Sequence, residues 1–242
     1  PQATVDDLLT LDSLETQFHV GTRVYRAVNE VSLHLAPGEC LGLIGESGSG
    51  KSVTALSIMG LVASPPGVIT GGAVRFCGQD LIGAPYAHLR RLRGHRIAYI
   101  FQDPLATLHP LYRVGDQLIE AIRVHEPITY AKAHQRALKL LADVRIPNPR
   151  ARAQAFPHEL SGGMRQRVGI AMALANDPDI IIADEPTTAL DVTVQAQILA
   201  LLSDLRRSRG LAILFITHDF GVIAQLCDRV AVMYGGRIVE SG

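Results

Sequence analysis

The feature that most constrains this chain is a glycine-rich segment, GESGSGKS, at residues 45–52. The segment fits the pattern G-x-x-x-x-G-K-[ST] in full. Its glycines permit backbone angles that turn successive N–H groups inward, where they surround phosphate oxygens. An apolar stretch at 39–44 is typical of a buried parallel strand, and a helix-compatible stretch follows from 51 to about 61. The sequence therefore predicts a strand, a phosphate-binding loop and a helix whose positive N-terminal end faces the same anion.

The pattern along the rest of the chain predicts an α/β fold. Further short apolar strands are predicted at 74–76, 97–101, 180–183, 211–217 and 229–233, with helices between most of them. Strands that alternate with helices favour a parallel sheet covered on both faces. From about 103 to 157 prolines punctuate helical segments such as 131–143, which predicts an inserted, mostly helical subdomain.

Composition limits the function classes. The 242 residues are 48% hydrophobic and 19% charged, with formal net charge zero, so neither disorder nor bulk attraction to nucleic acid is expected. A basic run at 88–96 lacks interleaved aromatic residues and is interpreted as a solvated face. No apolar run reaches the ~18 residues of a membrane span and no signal peptide opens the sequence, so we expect a cytoplasmic protein whose membrane link is a partner. The three cysteines lack metal-binding spacing and are predicted to be buried thiols in a reducing compartment.

A second motif that predicts catalytic chemistry is the segment DIIIADE at 179–185. An apolar strand places its last residues at the carboxyl edge of the sheet. The phosphate-binding loop also begins at this edge, because it follows a parallel strand. Asp184 suits Mg²⁺, directly or through water, and Glu185 suits a general base that orients and deprotonates attacking water. A solvated acidic loop is the alternative, and the presence of the phosphate loop argues against it.

The segment LSGGMRQR at 160–167 supplies another anion-binding turn, because a serine and two glycines precede a helix. It resembles the signature motif of the ATP-binding-cassette (ABC) family, usually written LSGGQ, with Met164 in the place of the glutamine. The resemblance covers nearly the whole chain. It implies a P-loop NTPase with a RecA-like core, an N-terminal antiparallel β region and an inserted helical subdomain. It also implies that Ser161, Gly162 and Gly163 close over ATP held by the opposite subunit.

Three further positions match motifs of that family. Gln102, in YIFQDP, resembles the Q-loop glutamine, which in the family contacts the Mg²⁺/γ-phosphate region and reports its state to the helical subdomain. Asp191, in ALD, resembles the D-loop. His218, in ITHD, resembles the switch histidine, which can bond the γ-phosphate and hold Glu185 and water in place. Family members often stack adenine on an aromatic residue upstream of the loop. We predict Phe18 as this residue, and Tyr25 is the alternative.

The resemblance as a whole implies ATP and Mg²⁺ as cofactors. The implied catalytic residues are Glu185, His218, Gln102 and Lys51. The implied metal ligands are Ser52, Gln102 and Asp184. The implied nucleotide-binding residues are Phe18, Gly45, Glu46, Ser47, Gly48, Ser49, Gly50, Lys51, Ser52, Val53, Gln102, Ser161, Gly162, Gly163 and Asp191.

Within the family, the segments around 46–56, 101–104, 157–164 and 183–197 resemble the branch of dipeptide and oligopeptide importers, which includes nickel and glutathione importers. This implies one cassette, with a core at about 1–102 and 166–242 and a helical subdomain at about 103–165. Family members usually continue past the last residue of this chain, so we expect an excised cassette that lacks a C-terminal extension.

The partners implied are a second ABC ATPase subunit, two transmembrane permease subunits and, indirectly, an extracytoplasmic solute-binding protein, at the cytoplasmic face of the inner membrane. No nucleic-acid partner is expected. A soluble ABC ATPase of nucleic-acid repair or translation is the alternative; such proteins usually interrupt the cassette with long coiled coils or extra domains. A nucleotide-binding regulator that does not hydrolyse ATP is a second alternative, and the intact Glu185 and His218 argue against it.

Overall fold

The computed structural model describes residues 7–103, 107–188 and 190–242. The chain divides into two compact units, Pro1–Arg90 with Arg209–Gly242, and Arg91–Ser208. The helical subdomain predicted at about 103–165 falls within the second unit, and its limits stay a prediction. No helix among the described residues is both long and apolar enough to cross a lipid bilayer.

The secondary structure alternates between strands and helices after an all-β beginning. The described strands are β1 Leu9–Val20, β2 Arg23–Leu35, β3 Cys40–Ile44, β4 Gly67–Phe76, β5 Gln79–Asp80, β6 Ile97–Ile100, β7 Ile180–Asp184, β8 Ala212–Thr217, β9 Arg229–Tyr234 and β10 Arg237–Ser241. The helices with described bounds are α1 Lys51–Ile58, α2 Tyr86–Leu92, α3 Val114–Arg123, α4 Tyr130–Asp143, α5 Pro149–Ala153, α6 Gly162–Ala173, α7 Val192–Arg209 and α8 Phe220–Leu226.

The first unit begins with an antiparallel sheet in the order β2-β1-β4-β5. Leu9, Leu11, Leu14 and Thr16 of β1 are buried, an alternation that a bulge interrupts once, as expected of a strand with one covered face. The Thr16 hydroxyl lies 2.8 Å from that of Ser57 on α1. This sheet is the N-terminal antiparallel β region that the sequence predicts.

A second set of strands in the first unit carries the phosphate loop. Strand β3 runs parallel to both β8 and β9, and β10 pairs antiparallel with β9. Every residue of β3 and β8 is buried, which explains why these strands are continuously apolar rather than alternating. Because β3 and β8 are parallel and in register up to Ile44 and Thr217, the residues after both strands emerge at the same edge.

The prediction that the cysteines are buried is confirmed only for Cys40. Cys40 is buried and Cys227 is half-buried, but Cys77 is exposed. Cys77 occupies the turn between β4 and β5 with a φ of 48°, where the chain is exposed.

The second unit contains the parallel pair β6 and β7 and helices α3 to α7. Helix α3 buries Val114, Leu118, Ile119 and Ile122, which form one stripe at helical spacing. The buried side chain of Asn176, in the loop after α6, donates to the carbonyls of Gly94 (2.9 Å) and Ala121 (3.0 Å). One amide group therefore joins the loop before β6 to helix α3.

We predict that Asn176→Ala lowers the free energy of unfolding by about 1–3 kcal/mol, because the carbonyls of Gly94 and Ala121 lose the buried amide that donates to them. Urea denaturation followed by circular dichroism measures the change. The control is Gln135→Ala on the exposed face of α4, which removes an amide that is in water. A loss smaller than about 0.5 kcal/mol in Asn176→Ala, the ordinary range for surface changes, would contradict this role.

Candidate functional site

The phosphate-binding loop of the first unit connects β3 to α1, as predicted. Gly48 and Gly50 have φ angles of 80° and 106°, a region that side chains with a Cβ rarely adopt. A Cβ on Gly50 would collide with the carbonyl oxygen of Ala27, and one on Gly45 would collide with that of Met233. The glycines are therefore required both by the turn and by close approach of two neighbouring chain segments.

Lys51 is the buried charge of this loop. Its side chain is 4% exposed, and its ammonium group donates to the carbonyls of Gly45 (2.7 Å) and Glu46 (2.8 Å). The loop thus folds around the lysine and holds the positive charge within its own curve. Ser52 follows at the second position of α1 and is exposed, and Val53 is half-buried.

The hydroxyl of Ser49 is a buried polar group of the same loop without a hydrogen-bond partner among the described residues. The Ser49 backbone is tied at both ends, because its N–H donates to Glu46 and its carbonyl accepts from Gly236 (2.9 Å). Ser47 and Gly48 form the exposed tip. The loop therefore has a base held by backbone hydrogen bonds and an exposed tip, which fits a phosphate group.

His218 also belongs to the first unit, directly after β8. Its side chain is exposed, whereas the preceding Thr217 is buried and accepts from the Asp219 N–H at 3.0 Å. Asp219 caps α8 by accepting from Gly221 at 2.8 Å. The buried strand and the capped helix thus hold the histidine at the strand edge from which the phosphate loop also emerges.

The structure places the two candidates for adenine stacking next to each other. Phe18 and Tyr25 are direct partners in the register of β1 and β2, so their side chains share one face of the hairpin. Phe18 is half-buried beside Gly67, and Tyr25 is 51% exposed. The choice of Phe18 stays a prediction.

In the second unit, Asp184 is the last residue of β7 and is only 6% exposed. Its Oδ2 accepts a hydrogen bond of 2.8 Å from the hydroxyl of Tyr99 on β6. Burial, together with the negative charge of Asp184, raises the pKa of Tyr99 far above its usual value. The tyrosine therefore remains a neutral donor that fixes the orientation of the carboxylate.

Glu185 directly follows β7 and has a φ of 46°, which is rare for a residue that is not glycine. Its Oε2 accepts from the Thr188 hydroxyl at 2.8 Å and from the Gln102 amide at 3.3 Å. Gln102 follows β6 and is exposed. The structure thus brings together Glu185 and Gln102, two predicted site residues, at the ends of neighbouring parallel strands.

The signature segment opens helix α6 in the second unit. Ser161 is the N-cap residue and accepts from the Met164 N–H at 3.3 Å. Ser161 and Gly162 are exposed, and a Cβ on Gly163 would lie 2.7 Å from Val194 of α7. Asp191 caps that next helix by accepting from the Val194 N–H at 2.9 Å. The predicted signature and D-loop residues are therefore neighbours; Ala189 of the ALD motif lies outside the described residues.

Sequence reasoning missed two residues of this arrangement, Tyr99 and Thr188. Both hydroxyls donate to the acidic pair that the sequence predicts. Tyr99 stands one place before the last residue of β6, and only the pairing of β6 with β7 brings it near Asp184. Thr188 lies three residues after Glu185, a spacing at which a local side-chain contact is possible in a turn.

Comparison with known proteins agrees with these features. The family described as ABC transporter matches residues 28–188, which is about two thirds of the chain. A probable peptide ABC transporter ATP-binding protein of Sinorhizobium fredii is 52% identical over 97% of this chain and 70% of its own length. The oligopeptide transport ATP-binding protein of Bacillus subtilis is 50% identical over 98% of this chain and 66% of its own length. A peptidoglycan transport ATP-binding protein of Agrobacterium fabrum is 51% identical, and this chain spans only 44% of its length.

Solved structures show the same fold. A dimeric bacterial ABC transporter cassette superposes with a TM-score of 0.86 at 28% identity, covering 97% of both chains. The same cassette in a post-hydrolysis state with ADP and phosphate gives the same values. A Clostridium perfringens cassette that is part of an ABC transporter complex gives 0.82 at 25% identity, covering 98% of this chain and 88% of its own.

These comparisons confirm the predicted family and fold class. They also support the ATPase of an importer over the alternative in nucleic-acid repair or translation. The phosphate loop around Lys51, the acidic pair at the end of β7 and the capped signature helix occur here on one cassette. The chain therefore belongs to the ABC transporter family, as an ATP-binding and ATP-hydrolysing cassette.

Proposed function

We propose that this chain is the ATPase subunit of a peptide importer and that its hydrolysis site is assembled from two copies of the cassette. The observation that carries the proposal is the buried ammonium group of Lys51, which the phosphate loop encloses at 2.7 and 2.8 Å from two carbonyls. Buried, preorganised positive charge interacts strongly with the phosphates of ATP. The names of the Sinorhizobium and Bacillus relatives support peptides as the transported class.

Binding of ATP begins at the loop of the first unit. The N–H groups of 47–52, at the positive end of α1, donate to the phosphate oxygens, and Lys51 donates to the β- and γ-phosphate oxygens. Phe18 stacks on the adenine. A Cβ at Gly45 or Gly50 would collide with a neighbouring carbonyl, so glycine at these positions lets the loop pack against Met233 and Ala27.

Oxygen ligands suit Mg²⁺, which typically uses one or two carboxylates together with substrate phosphates. The Ser52 hydroxyl, the Asp184 carboxylate and the Gln102 carbonyl oxygen would hold it. The ion would neutralise charge that develops on the phosphates. Tyr99 keeps Asp184 oriented for this task, because its hydroxyl donates to Oδ2.

Glu185 orients the attacking water and takes one of its protons at the carboxylate. The Thr188 and Gln102 side chains both donate to Oε2, which fixes the plane of that carboxylate. His218 donates to the γ-phosphate. Water attacks the γ-phosphorus, the bond to the β–γ bridging oxygen breaks, and ADP leaves as the phosphate is released.

The signature segment acts on the opposite subunit in this proposal. A single chain already has a complete phosphate loop, and Ser161 and Gly162 are exposed at the start of α6. The dimeric form of the similar cassette supports pairing of two such chains. A closed pair has two composite sites, each with Lys51 from one chain and Ser161–Gly163 from the other.

The proposed role as the ATPase subunit of an importer implies further partners. Two transmembrane permease subunits respond to closure and reopening of the pair, and a solute-binding protein delivers the peptide. The cassette then lies peripherally at the cytoplasmic face of the membrane. Co-purification of the full-length protein with two polytopic subunits tests this arrangement, and co-purification with nucleic acid in their place would contradict it.

We predict that Lys51→Ala weakens ATP binding at least ~10-fold, since a charge-assisted contact of ~1.5–3 kcal/mol is lost. Equilibrium binding of a fluorescent ATP analogue measures the affinity. Lys139→Ala on the exposed side of α4 is the control for loss of a lysine charge. An ATP affinity within about threefold of that of the unmodified protein would contradict the role of Lys51 in binding the phosphates.

We predict that Glu185→Gln binds ATP normally but hydrolyses it at less than a tenth of the normal rate, because general-base catalysis contributes ~10²–10⁴-fold. Glutamine keeps the shape and still accepts from Thr188 while losing its basicity. Phosphate release measures turnover. Glu120→Gln on α3 makes the same chemical change at an exposed position and should leave the rate unchanged. Substantial hydrolysis in Glu185→Gln would assign the base to another residue.

We predict that Ser161→Arg abolishes hydrolysis and ATP-dependent dimer formation, while a monomeric cassette still binds ATP within about threefold of normal. The bulky cation blocks the face that closes over the partner's nucleotide. Sedimentation with ATP in the Glu185→Gln background measures dimer formation, and monomer binding is measured separately. Ser208→Arg, near the end of α7, controls for an added arginine. If monomer affinity falls while dimers still form, the signature segment acts within its own chain, contrary to the proposal.

A further inference from the structure

Two cysteines that are far apart in sequence meet inside the first unit. Cys40 is the first residue of β3, and Cys227 ends helix α8. Their sulfur atoms are 3.6 Å apart, although 187 positions separate them. A disulfide has an S–S distance of ~2.05 Å, so the two sulfurs must approach each other further for the bond to form.

The backbone holds these two residues in place. The N–H of Cys40 donates to the carboxylate of Asp228 at 2.9 Å, and the N–H of Asp228 donates to the Cys40 carbonyl at 2.8 Å. A Cβ added to Gly42 would collide with Ile223 and lie 3.1 Å from the Cys227 sulfur. Helix α8 therefore packs directly on β3, and the contact between the sulfurs is a consequence of this packing.

The two thiols differ in their access to solvent. Cys40 is completely buried, whereas Cys227 is half-buried. Susceptibility of a thiol to oxidants follows its exposure and its thiolate character, and an oxidised cysteine next to a second thiol is resolved to a disulfide. Cys227 is thus the thiol that meets an oxidant, and Cys40 is placed to resolve it.

We propose that Cys40 and Cys227 are an oxidative modification site, which peroxide closes to a disulfide. The Cys227 thiolate attacks one peroxide oxygen, the O–O bond breaks, and a sulfenic acid forms while the departing hydroxide takes up the proton lost by the Cys227 thiol and becomes the first water. The Cys40 thiolate then attacks the Cys227 sulfur, so that the S–S bond forms and the S–O bond breaks. The released hydroxide takes up the proton from Cys40 and leaves as the second water. Two thiols are oxidised and one peroxide is reduced.

The position of the pair determines its effect. Cys40 begins β3 and the phosphate loop follows its last residue, Ile44, so the two ends are about 13 Å apart at ~3.3 Å per residue. The disulfide would therefore leave ATP affinity unchanged. It would join β3 to the connection between α8 and β9 across a long loop of chain, which restricts the unfolded state and stabilises the fold.

The test uses the full-length protein with Cys77→Ser, which removes the exposed thiol that would otherwise react first. The protein is treated with hydrogen peroxide and then analysed by peptide mass spectrometry. We expect a Cys40–Cys227 peptide pair about 2 Da lighter than its two thiol peptides, reversed by dithiothreitol. We also expect a rise in Tm of ~4 °C or more and an ATP affinity within about twofold of the reduced protein.

Two variants separate this pathway from general oxidation. In Cys227→Ser neither the linked peptide nor the rise in Tm should appear. In Cys40→Ala the sulfenic acid at Cys227 should persist and be trapped by dimedone, a result that needs only that this variant folds. The proposal is overturned if both thiols remain open to alkylation after peroxide, if Cys227 is over-oxidised while Cys40 stays reduced, or if the linked protein shows no rise in Tm.

Discussion

The phosphate loop depends on a buried positive charge. Lys51 is almost completely removed from solvent, and two carbonyls of the loop accept from its ammonium group. A buried charge is tolerated only when it is paired or bonded, so the curve of the loop and the burial of the lysine require each other. The close contacts of Gly45 with Met233 and of Gly50 with Ala27 hold that curve. A motif of eight residues thus depends on two segments that are distant in sequence.

The distinction between local and distant contacts explains what the sequence alone could predict. The phosphate loop, the acidic end of β7 and the cap of α6 are local patterns, because each has its chemistry within a few consecutive residues. Tyr99 and the Cys40–Cys227 contact are not local. They arise from the pairing of β6 with β7 and from the packing of α8 on β3. The periodicity of a single segment does not predict contacts between distant segments.

The choice between Phe18 and Tyr25 shows a related limit. Both are aromatic and both lie upstream of the phosphate loop, so residue type does not separate them, and the prediction of Phe18 rests only on its distance before residues 27–28. In the structure they are partners across β1 and β2 and present their rings on one face. The β bulges in this pair also shift the register of β1, which makes distance along the sequence a poor guide to position on the sheet.

The bonds around Glu185 differ in strength in a way that suits its proposed role. Thr188 donates at 2.8 Å from the same turn, whereas Gln102 donates at 3.3 Å from the segment after β6 and is exposed. Hydrogen bonds weaken as they lengthen, so the contact with Gln102 is the one that breaks first. Loss of the contact with Gln102 would leave Glu185 oriented by Thr188. In the proposed cycle, the nucleotide state can therefore be reported through Gln102 without displacing the base that hydrolyses ATP.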